Sequence, residues 1–129
     1  MSNNPAILII DGSPLFRFSA GRMIRNELPE LEVLEADRFE SALELVKIHR
    51  PVVVITEIHL KNGSGLELTE IIATRFPDTI VMVLTINDGP EYKAEALKRG
   101  ADFFISKTDP GGRTLLDFLR DRASGSGGK

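Results

Sequence analysis

An α/β fold, a parallel sheet covered by helices on both faces, is predicted for this 129-residue chain by three features. Apolar runs of strand length alternate with helix-period segments from end to end. The runs Val52-Val53-Val54-Ile55 and Ile80-Val81-Met82-Val83-Leu84 are continuous rather than alternating, as expected of strands buried on both faces. Four runs also stop at a polar residue: Ala6–Ile10 at Asp11, Val52–Thr56 at Glu57, Ile80–Leu84 at Thr85 and Phe103–Ser106 at Lys107. As parallel strands they would bring those four side chains to the carboxyl edge of one sheet, where ligands of open α/β sheets sit.

Taken in order, the first strand gives way to Ser13-Pro14, an N-cap followed by a proline suited to the first helical position. Phe16, Ala20, Met23, Ile24 and Leu28 then recur at helical spacing. Glu32–Glu35 is short and charge-flanked, which suits an edge strand. Phe39, Ala42, Leu43 and Val46 mark the second helix. Leu68, Ile71, Ile72 and Phe76 mark the third, with Gly63 and Gly65 in the turn before it. Asp88 is read as the start of a fourth helix that carries Ala96 and Leu97 and stops at Gly100. A last helix carries Leu115, Phe118 and Leu119, and Gly111-Gly112 opens it rather than cradling a phosphate. Five strands and five helices on short links predict a flavodoxin-like doubly wound (βα)5 three-layer sandwich with strand order 2-1-3-4-5. The domain is expected over residues 1–122, with 123–129 a flexible Ser/Gly tail, either a linker or a cloning remnant.

Composition narrows the function. With 42% hydrophobic and 27% charged residues the chain reads as an ordinary globular domain, and its net charge of −3 argues against a dedicated nucleic-acid surface. Cysteine is absent, which excludes a disulfide framework, a thiolate metal site and a cysteine nucleophile. Met1–Pro5 lacks the basic region of a secretory signal, and the apolar run after it is far too short to span a membrane. A cytoplasmic location with no membrane contact is expected.

Across residues 5–122 the chain resembles a receiver domain of two-component response regulators. Ile7-Leu8-Ile9-Ile10-Asp11-Gly12-Ser13-Pro14-Leu15-Phe16-Arg17 is similar to that family's first strand, acidic pair and first helix. Pro51 to Gly65 resembles the segment that carries the phosphorylated aspartate and ends in a glycine eight residues later. Leu84-Thr85 matches the switch hydroxyl, and Gly100-Ala101 with Lys107 matches the fifth strand and its lysine. Ser13–Arg17, with a lysine not followed by proline, is similar to regulators whose output is a helix-turn-helix DNA-binding domain.

The resemblance implies a phosphoryl pocket in which some members are altered. Asp11 is followed by Gly12 where a second acid is usual, Glu57 takes the phosphoacceptor position, Lys61 replaces a loop proline, and Phe104 takes the aromatic switch position. Magnesium favours octahedral oxygen ligands, so losing one acid leaves Asp11 and Glu57 to hold it weakly or not at all. No cofactor is required. A glutamate carboxylate also reaches about 1.5 Å farther than that of aspartate, and misplacement on the order of 1 Å costs about a hundredfold in rate. Glu57 is instead expected to pair with Lys107 and hydrogen-bond Thr85, imitating part of a phosphorylated state; a phosphate has three acceptor oxygens and glutamate two.

Three functions compete. The first is a phosphorylation-independent interaction module, contacting a histidine kinase, an output domain or a second copy through its fourth helix, fifth strand and fifth helix. That surface is expected to include Tyr92, Lys93, Leu97, Phe104, Leu116 and Arg120. The second is slow phosphoryl acceptance from a histidine kinase through Glu57. The third is a small enzyme or ligand binder on the same scaffold; no complete nucleophile–base pair or cofactor loop is visible, so no enzymatic activity is expected. His59 reads as a solvent-facing loop residue rather than a phosphoacceptor, and His49 as a helix-end charge. Arg113, Arg120 and Arg122 interleave with Asp117 and Asp121 and read as a solvated helix face, so no nucleic-acid contact is assigned to this domain.

Overall fold

Five parallel strands form the sheet of the computed structural model, which describes residues 4–108 and 113–124, the side chains of 113–114 and 122–124 excepted. Strand β1 (Ala6–Ile10) leads into α1 (Pro14–Glu27), β2 (Glu32–Ala36), α2 (Phe39–His49) and β3 (Val53–Thr56). A small hairpin of β4 (His59–Leu60) and β5 (Gly63–Ser64) precedes α3 (Gly65–Arg75). Then come β6 (Ile80–Thr85), α4 (Pro90–Lys98), β7 (Phe103–Ser106) and α5 (Arg113–Ser124). The order β2-β1-β3-β6-β7 is the expected 2-1-3-4-5 once the hairpin strands are set aside. The fold is therefore the predicted flavodoxin-like one.

The continuous apolar strands have a direct cause. Successive strand residues point to opposite faces, and here both faces are covered. Ile7, Ile9, Val53, Ile55, Met82 and Leu84 pack under α1 and α5 with Ala20, Ile24, Leu115 and Leu119. Leu8, Ile10, Val54 and Val81 pack under α2 and α3 with Ala42, Val46, Leu68 and Ile72. Strand β2 has exposed and half-buried positions instead, in keeping with its place at the edge. The Ser13 hydroxyl caps α1 by accepting from the Phe16 amide at 3.1 Å, with Pro14 next in the chain.

Some boundaries differ from the sequence reading. Helix α4 is capped by Gly89 and starts at Pro90, not at Asp88. The Asp88 carboxylate is engaged elsewhere, accepting from the Ser106 hydroxyl at 2.7 Å. The hairpin β4–β5 was not anticipated, because strands of two residues carry no periodicity. Leu116 is a core residue, 6% exposed among the α1 and β-sheet side chains, and so is removed from the expected interaction surface. Helix α5 runs through Ser124, two residues into the stretch read as tail; 125–129 and the Gly111-Gly112 turn lie outside the described residues.

Gly65 is the tightest backbone contact near the sheet edge. Its amide donates to the Ile58 carbonyl at 2.6 Å, and a Cβ there would overlap the Glu57 carbonyl oxygen. Main chain meets main chain, so no side chain can yield. Replacing Gly65 by Ala should destabilise the domain by about 3 kcal/mol, read in urea as a lower midpoint with an unchanged slope.

Candidate functional site

Parallel pairing delivers the polar strand ends to one edge. Asp11 follows β1, Glu57 follows β3, Thr85 ends β6 and Lys107 follows β7. Each is held by a backbone bond that extends the ladder by one rung: Asp11 N–H to Ala36 O at 3.1 Å, Glu57 N–H to Ile10 O at 3.0 Å, and Lys107 N–H to Thr85 O at 2.8 Å. Strands β1, β3 and β6 are buried almost throughout, so they cannot slide without exposing core.

At the centre is the ammonium of Lys107. Its Nζ lies 2.6 Å from Asp11 Oδ2 and 3.0 Å from Glu57 Oε2, and 4.1 Å from the centre of the Phe16 ring. The second oxygen of each acid is also engaged. Asp11 Oδ1 accepts from the Ser13 amide at 2.9 Å, and Glu57 Oε1 from the Ile58 amide at 2.6 Å. Asp11 is 4% and Glu57 8% exposed. Buried carboxylates this close to one cation form a charge-assisted cluster in which each ion satisfies the others.

Thr85 takes a different part from the one expected. Its hydroxyl accepts from the Asn87 amide at 2.9 Å and fixes the start of the β6–α4 loop, and no hydrogen bond joins it to Glu57. Its buried side chain thus supports the loop that follows it. Phe104 packs half-buried against the cluster of Ile58, Val83, Ala96 and Ala101 together with Tyr92. His59 is exposed and lies edge-on to Tyr92 at 6.3 Å. His49 is exposed in the last turn of α2. Lys61 is exposed, with its carbonyl accepting from Phe39 N–H at 3.3 Å. Asp117, Arg120 and Asp121 are exposed on α5, and Arg120 bonds Glu27 of α1 at 2.7 Å.

Arg17 is the site residue that the sequence reading left unassigned. Its Nη1 donates to the Asp11 carbonyl at 2.7 Å and its Nε to Glu35 at 3.2 Å, tying the end of β1 to edge strand β2. A signal for it exists. Arg17 shares a helical stripe with Ala20, Gly21, Ile24 and Leu28, all buried, and a cation on a buried stripe must find a polar partner.

A magnesium ion is implied by the resemblance, and Asp11 and Glu57 are the two carboxylates that would hold it, in competition with their bonds to Lys107. The two carboxylates face the same ammonium, every one of their oxygens is engaged, and among the described residues no group of three acids or other ligating side chains comes together. Nothing fills the place beside Gly12: a Cβ there would find its nearest heavy atom, the Asp37 carbonyl oxygen, at 4.0 Å.

These strand ends on this sheet define a class, and comparison with known proteins gives the family. Residues 7–116 match the response regulator receiver domain, and the chain belongs to that family. It is 37% identical over 106 residues to the transcriptional regulatory protein DegU of Brevibacillus brevis, covering 81% of this chain and 44% of that protein. It is 37% identical over 113 residues to the oxygen regulatory protein NreC of Staphylococcus epidermidis, covering 85% of this chain and 51% of the other. The chain thus spans about half the length of these curated relatives. Among solved structures, the receiver domain of the putative response regulator NarL from Mycobacterium tuberculosis superposes with a TM-score of 0.83 at 27% identity, over 95% of this chain and 98% of that one. The domain is therefore similar in sequence to DegU and NreC and in sequence and structure to the receiver domain of NarL. Among the described residues no helix is long and apolar enough to cross a membrane.

The Lys107 cluster has a pH signature. Burial is the largest influence on the ammonium and pulls its pKa down, but the hydrogen bonds to Asp11 and Glu57, with their charges, together outweigh it and leave it above the usual lysine value. A raised pKa means stabilisation that is complete below the unfolded-chain value of about 10.4 and is lost as pH rises through the higher folded value. Lys107→Met should therefore cost on the order of 2 kcal/mol near neutral pH by stranding two carboxylates. Its stability should also fall less steeply than that of the parent on the alkaline limb, as followed by thermal melts from neutral to strongly basic buffer.

Proposed function

We propose that this domain is an atypical receiver, with Glu57 in the phosphoacceptor position, that works by protein contact without being phosphorylated. The observation that carries this reading is the commitment of Glu57: Oε2 to Lys107, Oε1 to the Ile58 amide, in a side chain only 9% exposed. Phosphoryl transfer needs a nucleophile with a free lone pair in line with phosphorus and cations to neutralise the developing charge. Here each Glu57 oxygen already accepts one bond, which turns the carboxylate toward Lys107 and the Ile58 amide, and the lysine is shared between two acids. The solved response regulator of Burkholderia pseudomallei, 27% identical with a TM-score of 0.80, was crystallised with a phosphorylated aspartic acid and a calcium ion. In the reading proposed here Glu57, just after β3, takes that aspartate's place.

Glu57 bonded to Lys107 reproduces part of what an acyl phosphate would offer, one charge and two oxygens in place of three. With Thr85 engaged by Asn87, the imitation does not extend to the β6–α4 loop. Contact with partners is assigned to α4, β7 and α5, where Lys93 and Leu97 are exposed and Tyr92 and Phe104 half-buried. Phe103, 38% exposed and 4.2 Å from the Phe118 ring, joins them in place of Leu116. Arg120 is drawn toward α1 by Glu27 and contributes at the border. The partners that suit such a face are an output domain or protein, a histidine kinase, or a second copy of the domain. The process served is transcriptional control, as the name of DegU states for that protein. The domain itself is assigned neither nucleic-acid nor membrane contact, and its expected place is the cytoplasm.

Intact-mass analysis after incubation with magnesium and acetyl phosphate should show no phosphoryl gain, while an ordinary receiver domain treated alongside is labelled. A hydroxylamine-sensitive gain mapping to Glu57 would instead establish it as a slow acceptor. The double substitution Gly12→Asp with Glu57→Asp should create labelling, because open space beside Gly12 admits the missing acid and the shorter side chain withdraws from Ile58 N–H.

A further inference from the structure

The β4–β5 hairpin brings together two residues whose structural requirements produce a chemically reactive pair. Leu60 pairs with Gly63 and His59 with Ser64, leaving Lys61 and Asn62 as a two-residue loop. Asn62 has φ 63°, the left-handed region that asparagine tolerates better than most residues. Gly63 lies against Phe39: a Cβ there would sit 2.7 Å from the Phe39 ring, so a side chain is excluded. Packing and turn geometry thus select Asn-Gly, a pair that occurs once in the chain. Both residues are exposed, and among the described residues the Asn62 side chain makes no hydrogen bond.

We propose that Asn62 is a spontaneous modification site, converting with age to aspartate and isoaspartate and so altering the loop beside the Glu57 pocket. The Gly63 amide nitrogen, whose own residue carries no side chain, gives up its proton and attacks Asn62 Cγ. The Cγ–Nδ2 bond breaks, the departing nitrogen takes up a proton and leaves as ammonia, and a five-membered cyclic imide forms. Water then adds to either imide carbonyl, and the ring opens to aspartate or, with the backbone rerouted through the former side chain, to isoaspartate. No oxidant or reductant enters. The other described asparagines lack this route: Asn4 precedes proline, Asn26 lies within α1, and Asn87 precedes Asp88. Two Asp-Gly pairs are chemically related: Asp11 before Gly12 is buried with both oxygens engaged, and Asp88 before Gly89 is exposed with one oxygen accepting from the Ser106 hydroxyl.

Two changes follow at the hairpin. A new negative charge appears next to Lys61, and isoaspartate adds a methylene to the backbone of a two-residue loop. The lengthened loop cannot keep both Phe39 N–H on the Lys61 carbonyl and Gly63 flat against the Phe39 ring. The loosened segment connects to the Glu57 pocket through Gly65, whose amide bonds the Ile58 carbonyl. This inference is independent of whether Glu57 accepts phosphate.

The test ages the full chain in mildly alkaline buffer at physiological temperature, beside the Asn62→Gln variant and a synthetic peptide of residues 57–68. Peptide mapping and isoaspartyl methyltransferase labelling with a methyl donor locate the product. The expected result is isoaspartate accumulating in the Asn62 peptide several-fold faster than at any other asparagine, and absent from the same peptide of Asn62→Gln. The aged protein should exchange the Phe39 and Gly65 amide protons faster than fresh protein. Conversion of the synthetic peptide without conversion of the folded chain would overturn the proposal, because the hairpin would then protect the bond. Unchanged exchange in the converted protein would overturn the coupling to the pocket.

Discussion

The ammonium of Lys107 bonds an acid 96 positions earlier in the chain and a second one from the middle of the sheet. Burying Asp11 and Glu57 at the end of an apolar sheet is tolerable only because that cation stands between them, since an unpaired buried carboxylate is among the most unfavourable groups a fold can carry. The strand order follows the same constraint. With β1 and β3 adjacent and β7 two places further on, a long lysine side chain reaches both acids, while the backbone bond from Lys107 to Thr85 keeps its Cα in register.

The charges gathered at this sheet edge come close to balancing. With a third acid, the local charge would exceed what one lysine can offset, and a divalent cation would be the natural complement. With two acids and one ammonium, the excess is a single negative charge, and Arg17 places its guanidinium against the Asp11 carbonyl close by. The longer side chain of Glu57 completes the change by curling back onto the Ile58 amide. On the reading proposed above, Gly12 offers no carboxylate to the pocket and Glu57 turns its own to a partner inside the protein.

The outer surface divides by chemistry. Around the pocket edge the chain exposes Leu15, Phe18 and Ile86, while the α4–β7–α5 side exposes Leu97 and Phe103. Isolated exposed apolar residues are ordinary. The Phe103–Phe118 stack is more informative, because an edge strand that carries an exposed aromatic offers both backbone and ring to a neighbour. The fold around these surfaces is robust to sequence change: identities of 22% and 23% to solved receiver domains accompany TM-scores of 0.83. Such a sheet asks only for apolar residues of the right size at each buried position.

What was legible in the sequence is what depends on short-range pattern. Continuous Val/Ile/Leu runs, the Ser13-Pro14 cap and helical stripes specify the strands, helices and parallel order, because each reflects burial or a local hydrogen bond. The four strand-end side chains were legible for the same reason, since parallel strands must share an edge. Tertiary structure alone decided how those side chains are used. Whether Glu57 turns to Thr85 or to the Ile58 amide depends on rotamer choices fixed by neighbours far apart in the chain. Leu116 and Arg17 show the same limit: one residue on an amphipathic helix faces the core or solvent according to a rotation set by the helices beside it. The hairpin was invisible because two-residue strands have no period, and it exists because Gly63 fits against Phe39 from a different part of the chain.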